Sequence, residues 1–339
     1  MGHSTSSSAP PLLSRLLRWS GYILFGLVIL LMVLVYLGMF YQAVGEAQDR
    51  REYPPPGQLV DVGGYQLHIF CTGEGSPTVI LDAMADGMSV NWVRVQTHVA
   101  GVTRVCSYDR VGLGWSDSAP TQPRDALQGA EELHALLQNG GIPGPYVLVG
   151  HSYGAHVVRV FADKYSEEVV GIALVDPGIL FRDPRFPPEY SAEQETTRRF
   201  LTVAPWLARL GLIRLSGQGQ FRVQDLPAQQ RAEYRAAYNT VHFWQALYDQ
   251  FAYLPDTTLQ VQATENLGDL PLVVLSASRP DDETRLAWND MNAGLALLSS
   301  RGVHRVVNGA THAGIVQDEK YARETSAAII QVVQDARQQ

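Results

Sequence analysis

Two cysteines in 339 residues are too few for a zinc site, and no His-Glu-x-x-His or other metal-ligating constellation accompanies them. The body of the chain carries no Lys/Arg cluster, and the formal net charge is -8, which argues against a nucleic-acid partner. Internal repeats and heptads are absent too, so neither a solenoid nor a coiled coil is expected. One stretch lacks charge altogether. Trp19 to Tyr41 contains no charged residue and is rich in Leu, Val, Ile and Phe. The whole chain is 46% hydrophobic, enough for the core of one large domain with a small insertion.

The uncharged stretch reads as a single transmembrane helix. At 1.5 Å per residue it spans roughly 34 Å, sufficient to cross a bilayer. Trp19 and Tyr22 at one end, with Tyr36, Phe40 and Tyr41 at the other, suit the two interfaces. It is too long for a signal-peptide core and no clean A-x-A site follows, and with no polar face it does not read as a buried core helix either. Arg15 and Arg18 precede it without acidic neighbours, which favours a cytoplasmic N-terminus and a catalytic domain outside the cytoplasm. The expected order is a tail (1–18), the membrane helix (19–41) and a linker (42–57) containing Pro54-Pro55-Pro56.

Beyond the linker, strand-like and helix-like stretches alternate. Gln58-Val62 and Tyr65-Cys71 flank Gly63-Gly64, a hairpin signal. The apolar runs Thr78-Leu81, Arg104-Ser107, Tyr146-Val149, Val169-Val175, Leu270-Leu275 and Val303-Val307 follow, with helical patterns between most of them, among them Arg124-Gln138 and Asp318-Ala336. This order predicts an α/β fold, a mostly parallel eight-stranded sheet with helices on both faces. About ninety residues separate Asp176 from Leu267, too many for a structureless loop. They read as an inserted helical subdomain (177–266) in a core made of 58–176 and 267–339. Ser191-Ala192-Glu193-Gln194 resembles a capping box opening one of its helices, and Pro227 stands near the start of another running towards Leu254.

The strongest chemical signal is Gly150-His151-Ser152-Tyr153-Gly154, directly after Tyr146-Val147-Leu148-Val149 and before the helix-forming stretch Ala155 to Tyr165. A serine between strand and helix is forced onto a sharp turn with its hydroxyl exposed, and flanking glycines avoid clashes across that turn. Serine is a poor nucleophile unless a base takes its proton, so a histidine and a carboxylate are expected downstream.

With Asp109-Arg110-Val111-Gly112-Leu113-Gly114-Trp115-Ser116 after the fourth strand and Gly309-Ala310-Thr311-His312 after the last, the chain resembles the α/β-hydrolase family from Gln58 to Ala336. In that family the insertion after the sixth strand is a helical cap over the active site. The family order of nucleophile, acid and histidine implies His312 as the base, while His304, inside a strand, reads as a packed or surface residue. The acid is usually found shortly beyond the seventh strand; Ser278-Arg279-Pro280-Asp281 implies Asp281, with Asp282 and Asp176 as alternatives. The oxyanion hole requires two backbone N–H groups, expected from Tyr153 and from Ala85 in the loop Asp82-Ala83-Met84-Ala85-Asp86-Gly87. Relatives usually have glycine where Met84 stands, and Met84 is a candidate for a wall of the acyl pocket. Asp109 and Arg110 are expected to pin neighbouring loops. The family's sheet sets the second and fourth strands side by side, so Cys71 and Cys106 either form a disulfide or remain two buried thiols.

Within the cap, Tyr234, Tyr238, Val241, Trp244, Tyr248 and Phe251 recur every three or four residues, a stripe that serves packing or, where it faces the pocket, an apolar substrate. Together these features predict a membrane-anchored serine hydrolase, without metal or organic cofactor, acting on a small acyl substrate. Carboxylic-ester cleavage is the default. Amide, aminopeptide, lactone and carbon–carbon bond cleavage use the same residues, and a slow-turnover ligand-binding protein on the same fold is the rival from another class.

Overall fold

The computed structural model describes residues 12–119, 123–221, 223–264, 266–278 and 283–338. Eight strands, β1 (Gln58–Asp61), β2 (Gln66–Thr72), β3 (Thr78–Asp82), β4 (Val105–Tyr108), β5 (Tyr146–His151), β6 (Val169–Val175), β7 (Leu272–Ala277) and β8 (Gly302–Val307), form one sheet in the order β1-β2-β4-β3-β5-β6-β7-β8. The first two pairings are antiparallel and all others parallel. Helices are α1 (Leu12–Glu52), α2 (Val93–Val99), α3 (Ala126–Asn139), α4 (Gly154–Lys164), α5 (Pro188–Arg209), α6 (Leu212–Ser216), α7 (Ala228–Tyr238), α8 (Val241–Ala252), α9 (Leu254–Ala263), α10 (Glu283–Ala296), α11 (Gly314–Gln317) and α12 (Glu319–Ala336).

Alternation along the central strands explains why they read as unbroken apolar runs. On β5 and β6, Leu148, Ile172 and Leu174 face a core shared with α3 and α4, while Val147, Val149, Ala173 and Val175 face one shared with α2 and α12. Both faces are covered, so neither side of these strands has a reason to be polar. Asp125 and Asp318 close the N-termini of α3 and α12 by accepting from Gln128 N and Lys320 N at 2.9 and 2.8 Å. Cys71 and Cys106 are register partners across β2 and β4 and are joined in a disulfide.

Two expectations about the cap are corrected. The helix assigned to a capping box at Ser191 begins at Pro188, where the fixed φ of proline suits the first helical position. The helix expected to run from Pro227 towards Leu254 is two, because Thr240 caps a new start, its Oγ1 accepting from Phe243 N at 3.3 Å.

The segment read as a linker from residue 42 is helical as far as Glu52, and it is docked. Gln42 Nε2 donates to Asn239 O at 2.5 Å, Glu46 Oε1 accepts from Val241 N at 3.2 Å, and Arg214 Nη1 meets Asp49 Oδ2 at 2.7 Å. Just before these polar contacts, a Cβ at Gly38 would lie 2.5 Å from the Leu210 carbonyl oxygen. The helix therefore holds the cap as well as preceding the domain.

Candidate active site

β5 ends at His151 and α4 begins at Gly154, so the chain turns within two residues. Ser152 adopts φ 54°, a left-handed conformation that an L-residue keeps only where its surroundings enforce it. The enforcement is visible. A Cβ at Gly150 would lie 2.5 Å from Ala155 N and Cα, and one at Gly154 would collide with the Asp82 carbonyl. Ser152 N donates to Val175 O, and Gly178 N donates to Ser152 O, both at 3.1 Å.

His312 lies in the loop after β8, with Nδ1 2.6 Å from Asp176 Oδ2. Asp176 is fully buried, and its other oxygen accepts Ala277 N and Trp288 Nε1 at 2.9 Å each. An ionised carboxylate only accepts, so a contact with ionised Asp176 requires Nδ1 as the donor, and in the neutral ring the lone pair then falls on Nε2. The Trp288 ring stands edge-on to the imidazole, 6.4 Å away at 89°. Asp281, expected to orient the histidine, lies outside the described residues, as does Asp282; the carboxylate on His312 is Asp176. The reason lies in the backbone after β6. Asp176 takes φ 40° and donates its N–H to Leu275 O at 2.6 Å, which puts its side chain over the end of β7, towards the loop that carries His312. No motif in the sequence points to Trp288, which is the single aromatic residue of α10.

The loop Asp82–Gly87 is organised by Arg110. Its Nη1 pairs with Asp82 Oδ1 and donates to Ala83 O at 2.6 Å, while Nη2 donates to Met84 O at 2.6 Å and Ala85 O at 3.2 Å. Nε reaches Gln250 Oε1 on α8 at 3.3 Å, and the guanidinium lies 5.2 Å from the Tyr153 ring centroid. Burial works against the charge of Arg110, and the attraction of Asp82 overcomes it, raising the pKa of the guanidinium. Met84 is buried with no left-handed φ, so the missing glycine imposes no backbone strain, and it is not among the residues lining the cavity. Asp109 pins its surroundings as expected, accepting Ser89 N at 2.6 Å and Trp115 N at 3.0 Å, with His68 Nδ1 2.8 Å away. His304 stays within β8, against Ser276 Oγ at 2.7 Å.

Ser152, Tyr153, Ala85 and His312 line one cavity of about 730 Å³. The cap supplies much of the remaining wall: Tyr238, Trp244 and Phe251 of the aromatic stripe face it, and the same rings form part of the cap's own core. The stripe thus both packs the cap and lines the cavity. His156, also in the lining, is held neutral: burial, and then Arg159, push its pKa down to about 3. An unfolded chain takes up that proton below about pH 6.5 while the native chain does not, so stability is complete above that pH and declines towards 3. Unfolding free energy measured by denaturant in detergent should fall by about 2 kcal/mol between pH 7.5 and 5 from this residue, and His156→Gln should remove that part of the slope.

The signature of the Alpha/beta hydrolase family matches residues 75–324. The chain belongs to that family. An uncharacterized protein of Schizosaccharomyces pombe is 29% identical over 226 residues, 64% of this chain and 39% of that one. An uncharacterized vacuolar membrane protein of Saccharomyces cerevisiae is 30% identical over 129 residues, 33% of this chain and 20% of that protein. A (lyso)-N-acylphosphatidylethanolamine lipase of Mus musculus is 28% identical over 146 residues, 42% of each. The chain spans less than half the length of these curated relatives. Among solved structures, a thermophilic esterase from Thermogutta terrifontis superposes with TM-score 0.61 at 20% identity, covering 82% of this chain and 98% of that one. The epoxide hydrolase CorEH gives 0.62 at 20% identity, covering 80% and 96%. These likenesses concern the fold.

Proposed function

We propose that this α/β hydrolase is a membrane-anchored serine esterase in which Ser152, His312 and Asp176 form the triad. The observation that carries the reading is the 2.6 Å contact between a buried carboxylate and the imidazole of His312, whose cavity also holds a serine at a strained elbow. His312 Nε2 takes the Ser152 proton as Oγ attacks the ester carbonyl, and Asp176 stabilises the imidazolium that forms. The N–H groups of Tyr153 and Ala85 receive the oxyanion. Collapse expels the alcohol, protonated by His312; water, deprotonated by the same nitrogen, then cleaves the acyl enzyme to the carboxylic acid. A carboxylate nucleophile, which alkyl-transfer chemistry on epoxides or haloalkanes needs, is absent from position 152.

The anchor reading rests on α1, the described helix long and apolar enough to cross a membrane, whose apolar side chains are exposed from Leu16 to Tyr41. The disulfide suits a domain in an oxidising compartment, which accords with a cytoplasmic N-terminus and an extracytoplasmic catalytic domain.

The test is multiple turnover of a p-nitrophenyl ester series by the full chain in detergent. Ser152→Ala should lower kcat by about 10⁶-fold, to background. Equal rates in wild type and variant would overturn the mechanism, and a single burst without turnover would favour the slow ligand-binding rival.

A further inference from the structure

The contact between α1 and the cap changes character along its length. Gly38 and Tyr41 meet Leu210 and Gly211, at the corner where α5 passes into α6; Gln42, Glu46 and Asp49 then meet polar groups. The apolar stretch of α1 ends at Tyr41, with Gln42 the first strongly polar side chain beyond it and Glu46 the first charge, so the helix turns polar at the level of the α5–α6 corner. A cap fixed there brings that corner to the membrane boundary whenever α1 is in lipid.

The corner is dressed for it. Val203, Trp206, Leu212 and Leu215 are all exposed, Trp206 and Leu215 by 62% and 65%. Arg209 lies 5.1 Å from the Trp206 ring centroid, and a tryptophan beside a long cation is suited to headgroup depth. Scattered exposed apolar residues need no explanation, but several on one corner, continuous with a lipid-facing helix, do. Phe200, one turn before Val203, is 46% exposed and also lines the cavity, its ring edge-on to Trp244 at 5.8 Å. Apolar surface therefore runs from α1 across the corner to Phe200 and into the chamber that holds Ser152.

We propose that the α5–α6 corner of the cap lies in the bilayer interface and that the cavity takes a lipophilic ester from the membrane, its acyl chain entering over Phe200. The substrate half of this proposal rests on the esterase reading above. A docked corner holds the cavity mouth against the substrate's own phase, so a hydrophobic ester reaches Ser152 without crossing water.

The experiment uses the full chain in phosphatidylcholine vesicles. A fluorophore on Leu215→Cys should be quenched by nitroxide-labelled lipid and one on Gln331→Cys, on α12, should not; an unquenched probe at 215 would overturn the membrane contact whatever the activity. The double variant Val203→Ser, Trp206→Ser should lose about tenfold in turnover of p-nitrophenyl palmitate dissolved in the same vesicles, the equivalent of about one apolar side chain's transfer, with aqueous p-nitrophenyl acetate unaffected. Equal rates on the palmitate, or equal losses on both esters, would overturn membrane supply. Should Ser152→Ala still turn over the acetate, the esterase reading fails, and the quenching result decides the membrane contact independently.

Discussion

Asp176→Asn should lower kcat for p-nitrophenyl esters by about 10⁴-fold while the protein stays folded. The amide can keep its oxygen towards Ala277 N and Trp288 Nε1, the two donors that occupy Asp176 Oδ1. Its NH₂ then faces His312 Nδ1, which must become the acceptor, so the ring proton moves to Nε2 and the base disappears. A change of tautomer costs rate far more than stability, and that split is the signature to look for. Denaturation midpoints should remain close to wild type, and KM should change less than kcat. The companion variant is Asp281→Asn. If it abolishes turnover and Asp176→Asn does not, the acid is Asp281 and the contact on Nδ1 is structural.

Why the sequence favours Asp281 and gives no hint of the contact between Asp176 and His312 is a matter of what local patterns contain. The sheet, the elbow, the cap and the position of His312 were legible because each is written in neighbouring residues: continuous apolar runs, Gly-x-Ser-x-Gly between strand and helix, a long interval between strands, a histidine just past the last run. Asp176 sits in Val175-Asp176-Pro177, which reads as a chain turn. Its contact with His312 depends on a φ of 40° and on a donor from Ala277, the end of a strand about a hundred residues away. The same limit hid the docked part of α1. Composition turns polar at Gln42, but nothing breaks the helix before Pro54-Pro55-Pro56, and the partners of Gln42, Glu46 and Asp49 lie on the cap, more than 160 residues further on. Tyr238 and Trp244 were legible as a stripe, yet the break at Thr240 that sets them on two helices was not.

Arg110→Met should have the other large effect, and on two observables at once. The guanidinium contributes donors to Asp82, Ala83, Met84 and Ala85, the loop from which one oxyanion donor is expected, and to Gln250 of the cap. Removing it leaves Asp82 buried with Tyr108 Oη, 2.6 Å away, as its remaining side-chain donor, and an uncompensated buried charge costs about 3–5 kcal/mol. Three carbonyls at the head of the loop lose the arginine together, Met84 O keeping only Gly87 N and Ala85 O only a 3.4 Å contact from Gln250 Nε2, so the Ala85 N–H, the proposed second oxyanion donor, is held less firmly, and kcat should fall by about 10²–10³-fold. Loss of stability alone would be an ordinary consequence of breaking a buried pair. The double variant Asp82→Asn, Arg110→Met separates the two contributions: removing both charges should restore most of the stability, while the loop carbonyls still lack their donor and kcat stays low. If activity returns together with stability, Arg110 is a structural residue only. If stability returns and kcat does not, the arginine acts as a positioning residue that sets the loop against Ser152, which is the outcome its hydrogen bonds predict.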